Sequence, residues 1–180
     1  MQQLICHPDT PAITVEAIEV CAERLESGRL RFRFHIDSSL KALALGEAKP
    51  PERADRLWKS TCFEAFLRSS RDGGYLEYNF APSGQWAAYA FTVYRLGGID
   101  LRVDQAPEII LDPIGSHFAM ETEIDLPTEW RDIPVELNLT AVIEETDGTK
   151  SYWALAHPSS KPDFHHKDCF ALKVEAPRRP

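Results

Sequence analysis

Glu64 and Glu77 could form a carboxylate pair, because alternation places both acids where a sheet would normally carry only core or solvated residues. The stretch from Trp58 to Arg95 reads WKSTCFEAFL, a Ser/Arg/Asp/Gly turn, YLEYNFAP, a Ser-Gly turn, then QWAAYAFTVYR. Three aromatic-rich runs of period two, separated by turn residues, predict consecutive antiparallel strands. With the first turn centred on Arg71 and Asp72, Phe63, Ala65 and Leu67 lie opposite Phe80, Tyr78 and Leu76 on one apolar face. The reverse face pairs Glu64 with Asn79 and Phe66 with Glu77. A two- or four-residue loop around Ser83-Gly84 sets Ala88 beside Asn79 and Ala90 beside Glu77, leaving space above the sheet for a ligand or a close-packed segment.

Two carboxyls roughly 5 to 9 Å apart across a sugar can hydrolyse a glycosidic bond. The hairpin permits that spacing for Glu64 and Glu77, although a polar or Arg-paired sheet face, with Arg33, Arg68 and Arg95 as partners, would carry the same residues. Four tryptophans (Trp58, Trp86, Trp130, Trp153) add flat apolar surfaces suited to the C–H face of a pyranose. Trp58 stands at a strand entrance and Trp153 at a strand exit, followed by His157; both could sit on one rim, or each could line the core edge. Trp86 and Trp130 read as packing. His157, Asp163, His165, His166, Asp168 and Cys169 crowd the 157–169 loop, yet their spacing matches neither HExxH nor a zinc finger. A structural loop fits the same residues, with Lys161-Pro162-Asp163 as a turn, Phe164 as a plug and the histidines bonded to nearby carbonyls. Neither a GxSxG elbow nor a phosphate-cradling glycine loop is present.

The elements that would position these groups are nearly all strands. Leu30, Phe32, Phe34 and Ile36 alternate with Arg31, Arg33, His35 and Asp37, after a looser run from Ile13 to Glu26 and a Ser27-Gly28 turn. Glu108 to Leu111 and His117 to Leu126 read as a pair turning around Asp112-Pro113, and Val135 to Ile143 is the clearest strand. Asp147-Gly148 turns into Ser151–Ala156, and Phe170, Leu172 and Val174 close the chain. A short helical turn is expected near Leu40 to Leu45 and another at Thr128 to Trp130. About ten short strands with little helix predict an all-β fold, a two-sheet antiparallel β-sandwich of jelly-roll type. The 180 residues read as one domain, 1–180, with irregular segments at 38–57 and 157–168.

Composition narrows the partners. A net charge of −8 with scattered basic residues lacks the stripe that nucleic acid requires. No apolar run approaches the about 20 residues of a spanning helix. The N-terminal MQQLICHPDTP lacks the basic and apolar regions of an export leader, so a cytoplasmic setting and four free thiols are expected. Asn138-Leu139-Thr140 fits a glycosylation acceptor but sits within a strand. A partner chain or second copy could dock on the 38–57 segment or an open sheet edge.

The segments WKSTCFEAFL, YLEYNFAPSGQWAAY, DGTKSYWALAHP and PDFH together resemble the DOMON-like domains related to family 9 carbohydrate-binding modules, over roughly residues 12 to 175. The resemblance implies a β-sandwich that binds a small ligand, a saccharide or sugar-containing metabolite, and performs no reaction. It implies that Trp58 and Trp153 clamp the sugar, that Glu64 bonds its hydroxyls, and that Asn79 and, after it, Arg95 assist; His157, at the strand exit after Trp153, is a further ligand-binding candidate. The acid-rich calcium sites of the sugar-binding relatives are not evident, and Met120, the counterpart needed for haem ligation, alternates with core residues. No cofactor is implied.

Overall fold

Along Leu30–Asp37 every second side chain is sealed: Leu30, Phe32, Phe34 and Ile36 are fully buried, while the residues between them reach solvent. The same period-two burial shapes most of the fold. The computed structural model describes residues 1–69, 71, 73–114 and 117–177. Among these, thirteen strands run in chain order: β1 Gln2–Gln3, β2 Ile5–Cys6, β3 Ala17–Arg24, β4 Leu30–Asp37, β5 Cys62–Ser69, β6 Tyr75–Phe80, β7 Trp86–Phe91, β8 Ile99–Asp100, β9 Ile109–Ile114, β10 His117–Ile124, β11 Val135–Glu144, β12 Lys150–Ala154 and β13 Leu172–Val174. Single 3-10 turns occupy Leu40–Ala42, Leu57–Lys59, Thr128–Trp130 and Lys167–Cys169.

The strands form two antiparallel sheets, one ordered β1-β3-β4-β10-β9 and the other β2-β12-β11-β5-β6-β7-β8. In the second, β13 joins β11 at its start, beside Val135–Leu137, while β12 pairs with its later half. The fold is therefore the expected all-β sandwich. Phe34 of β4 meets Phe63 of β5 at 5.1 Å between ring centres, and Phe32 meets Phe80 of β6 at 6.3 Å. Met120 is buried in this core, as its alternation requires.

The outer faces of the two sheets differ. On the first, Arg29, Arg31 and Arg33 pair across strands with Glu121 and Glu123 in a partly exposed ladder, with Arg31 Nη2 2.7 Å from Glu123 Oε1. On the second, both faces of β5 and β6 are buried almost throughout. Segments outside the strands must cover that outer face, and they are what make a site there.

Two turns fall differently from the sequence expectation. Phe80 pairs with Trp86, so Ala87 rather than Ala88 faces Asn79, and Tyr89 rather than Ala90 faces Glu77. Ala81 N–H bonds Gln85 O at 2.9 Å, which leaves a three-residue loop closed by Gly84 at φ +96°. Three-residue hairpins place a left-handed residue in this position, and the odd loop length shifts the register by one. The β9–β10 hairpin does not turn at Asp112-Pro113. Pro113 instead pairs with Phe118 inside β9, an edge strand where a missing N–H is tolerated. Asp72 lies outside the described residues, but the flanking register, Glu64 to Asn79 and Phe66 to Glu77, is the one expected.

Candidate functional site

The outer face of the larger sheet carries Glu64 and Phe66 from β5, Glu77 and Asn79 from β6, Tyr89 and Phe91 from β7, Thr140 and Val142 from β11, and Tyr152 from β12. Over this floor the chain builds a cleft of about 510 Å³, within the range typical of small-ligand sites. Asp55, Arg56 and Trp58 form one wall, Arg95 and Gly98 another, and Pro162, Phe164 and His165 a third. Trp58 stands on the 3-10 turn Leu57–Lys59, 47% exposed. Tyr89 donates from its hydroxyl to Asp55 Oδ1 at 2.7 Å, tying the first wall to the floor. Among the described residues, the two non-glycine residues with left-handed backbone, Arg56 (φ 61°) and Arg95 (φ 56°), both line this cleft. Such conformations cost energy and persist where surrounding structure enforces them.

The floor is acidic, and its carboxyls are buried. Glu64 is buried and accepts from Thr140 Oγ1 at 3.0 Å. Burial, reinforced by the neighbouring charge of Glu77, pushes its carboxyl well above the usual range. Glu77 is also raised by burial, against the hydrogen bond from Asn79 Nδ2 at 2.7 Å and the nearby positive charge of Arg95. Glu64 and Glu77 are diagonal neighbours on paired strands, a placement that sets residues roughly 7–8 Å apart across the sheet. Arg95 Nη2 pairs with Asp163 Oδ1 at 2.8 Å. Burial works against the Asp163 charge, yet hydrogen bonds from Tyr94 and Arg95 outweigh it and hold the carboxyl below its ordinary value.

Of the residues picked from sequence, Trp58, Glu64 and Arg95 line this one cleft. Asn79 lies just beneath it, fully buried, and acts on Glu77. Trp153 does not belong to the site. It is 4% exposed, sits in the core between the sheets, and donates from Nε1 to Ser151 Oγ at 2.9 Å. Parity is the cause: Trp153 is registered with core residue Ala141, so its strand neighbour Tyr152, registered with Val142, takes the outward place. The clamp of Trp58 and Trp153 is thus excluded, with Tyr152 on the cleft side instead. His157 is also displaced from the lining. Its Nε2 lies 2.8 Å from Ile5 O and its ring stands edge-on to His7 at 4.9 Å, which ties the loop to the N-terminal strand β2.

Tyr89 and Phe91 were hidden by the one-residue hairpin shift, and Tyr152 by its neighbour's larger ring. Phe164 and His165 come from an irregular loop without periodicity. Phe164 does plug: it is buried against Phe66 and its carbonyl accepts from Asn138 Nδ2 at 2.9 Å. Asn138, the apparent glycosylation acceptor, is fully buried. All four cysteines are free thiols. Among the described residues no three His, Cys, Asp or Glu side chains gather into a metal-ligand set, and no helix is long and apolar enough to cross a membrane.

No family model and no curated relative matches the chain. Its fold is that of solved structures with little sequence in common. A candidate carbohydrate-binding protein from Bacteroides uniformis superposes with a TM-score of 0.65 at 13% identity, covering 97% of this chain and 84% of that one. A family 9 carbohydrate-binding module from Caldicellulosiruptor kristjanssonii, solved with glucose, gives a TM-score of 0.56 at 8% identity, covering 95% of this chain and 81% of that one. At these identities the likeness is one of architecture, and it is the architecture that the resemblance to family 9 modules implied.

Proposed function

We propose that this protein is a non-catalytic module that binds a carbohydrate or sugar-containing metabolite in the cleft above β5 and β6. One observation carries the reading: an open, aromatic-walled cleft ends on two buried carboxyls and has a half-exposed indole at its mouth. Apolar ring faces suit the C–H surface of a pyranose, and carboxyl groups exchange hydrogen bonds with its hydroxyls. Trp58 is the stacking surface, and Glu64, Glu77 and Arg95 are the polar contacts, with Asn79 orienting Glu77. The two solved structures above, one of them bound to glucose, support the same ligand class. Affinity is expected in the micromolar to millimolar range, because exposed stacking and hydrogen bonds compete with water.

Titration of tryptophan fluorescence with a panel of glucose, galactose, mannose and their β-1,4-linked disaccharides tests the proposal. Saturable quenching that disappears in Trp58→Ala supports it, and a flat response to every sugar refutes it. A second reading, glycoside hydrolysis by Glu64 and Glu77, is favoured by the carboxyl pair itself. It ranks lower because two carboxyls on one sheet face are an unspecific signal, which the floor of a binding cleft carries equally well. Release of new reducing ends from the disaccharides, lost in Glu64→Gln, would reverse the ranking.

A further inference from the structure

A hydrogen-bond chain links two walls of the cleft, Arg95 and His165, through Tyr75 behind them. The backbone N–H of Arg95, presented by its left-handed conformation, donates to the Tyr75 hydroxyl at 3.1 Å. That hydroxyl lies 2.8 Å from His165 Nδ1. A backbone N–H can only donate, so the single tyrosine proton is left free to point at the imidazole, with Nδ1 as its acceptor. A neutral imidazole accepting at Nδ1 carries its own proton on Nε2. Burial and the charge of Arg95 hold His165 down at about 4, so the ring is neutral near pH 7. Phe66, Phe91 and Tyr75 stand edge-on to it at 5.1, 5.3 and 5.8 Å, which fixes its orientation.

The protonated Nε2 faces Glu77 Oε2 across 3.8 Å. That is beyond a direct hydrogen bond. The other oxygen, Oε1, is already engaged by Asn79. Both His165 and Glu77 line the cleft. A donor and an acceptor therefore confront each other with a gap that one oxygen, seated beside it, can bridge by accepting from one and donating to the other. A hydroxyl does both. An ether oxygen only accepts, and an ammonium group only donates.

We infer that His165 and Glu77 together grip one free hydroxyl of the ligand, and that Tyr75 is the positioning residue that holds the imidazole in the required tautomer. The inference rests on the carbohydrate reading and sharpens it. The bound sugar must present an unsubstituted hydroxyl at this point, so a deoxy or O-methyl form at that carbon is rejected.

Two measurements test it. Long-range 1H–15N spectra of the labelled protein should show His165 neutral with its proton on Nε2 between pH 5.5 and 8, and Tyr75→Phe should mix the tautomers. Titration with glucose, galactose, mannose and the monodeoxy forms of each should show one position whose removal weakens binding by about tenfold or more. His165→Phe, which keeps a ring against Phe66 and Phe91, should retain the melting temperature within a few degrees and erase that difference. A His165 that is charged, or protonated on Nδ1, overturns the inference. So does a deoxy preference that His165→Phe preserves, and that result leaves carbohydrate binding standing. A wild-type protein that binds none of the sugars overturns both, and its flat titration separates that case from the others.

Discussion

Replacing Trp153 and Trp58 by alanine, one at a time, separates packing from recognition within a single pair of variants. Trp153 is 4% exposed, registered between Cys6 and Ala141, and bonded through Nε1 to a Ser151 hydroxyl that is itself fully buried. Truncating a buried tryptophan to alanine costs about 3–5 kcal/mol, from lost transfer energy and the cavity left behind. The Ser151 hydroxyl also loses its donor, a contribution of about 1 kcal/mol within that range. At roughly 2–4 °C per kcal/mol for a chain of this size, the melting temperature falls by about 6–20 °C. Trp58 already has nearly half its surface in water, so Trp58→Ala should cost about 1 kcal/mol and shift the melt by only about 2–4 °C. Circular-dichroism melts and fluorescence titration with the sugar panel read the two effects on the same samples. Trp153→Ala should melt early yet bind normally while folded, and Trp58→Ala should melt almost normally and not bind. If Trp153→Ala kept the wild-type melt and lost sugar binding, the placement of that indole between the sheets would be wrong, and with it the parity argument that sends Tyr152 outward.

Three further outcomes follow from the same geometry. Because the folded-state pKa of Glu64 is raised by burial and by Glu77, its contribution to stability is fully present below the unfolded value of about 4.3 and is lost as pH rises through the folded value; urea titrations should therefore show Glu64→Gln gaining on the wild type as pH rises above the unfolded value. Arg56→Gly, which relieves a left-handed backbone at φ 61°, should raise stability by about 0.5–1 kcal/mol in the same titrations while weakening sugar binding, since the wall carrying Trp58 loses its enforced path. Thiol labelling of the native protein should modify the half-buried Cys6 and Cys21 first; Cys62 and Cys169, buried and with thiols pushed up (Cys169 to about 11), should react only on unfolding.

The architecture was legible in the sequence because each strand announces itself locally. Alternation from Leu30 to Asp37 and from Val135 to Ile143 names which side chains face inward, and Ser27-Gly28 and Asp147-Gly148 mark reversals that the structure keeps. The Glu64–Asn79 and Phe66–Glu77 pairs could be written down from one hairpin, since an assumed turn centre assigns every pairing that flanks it. Trp58, Glu64 and Arg95 were legible for the same reason: all three lie on or beside that meander.

What only the tertiary structure decided is which way neighbouring residues point when the loop between strands has an uncertain length, and what lies over a sheet face. Gly84 closing a three-residue turn, rather than a two- or four-residue one, exchanged Ala90 for Tyr89 opposite Glu77. On β12, the pairing with β11 sent the larger ring of Trp153 inward and Tyr152 outward, a choice that composition cannot make because both residues suit either face. The third wall, Phe164 and His165, is a contact between residues about 90 positions apart along the chain, Tyr75 and His165 among them. Periodicity carries no information about such contacts. Packing against the already formed outer face is what selects them.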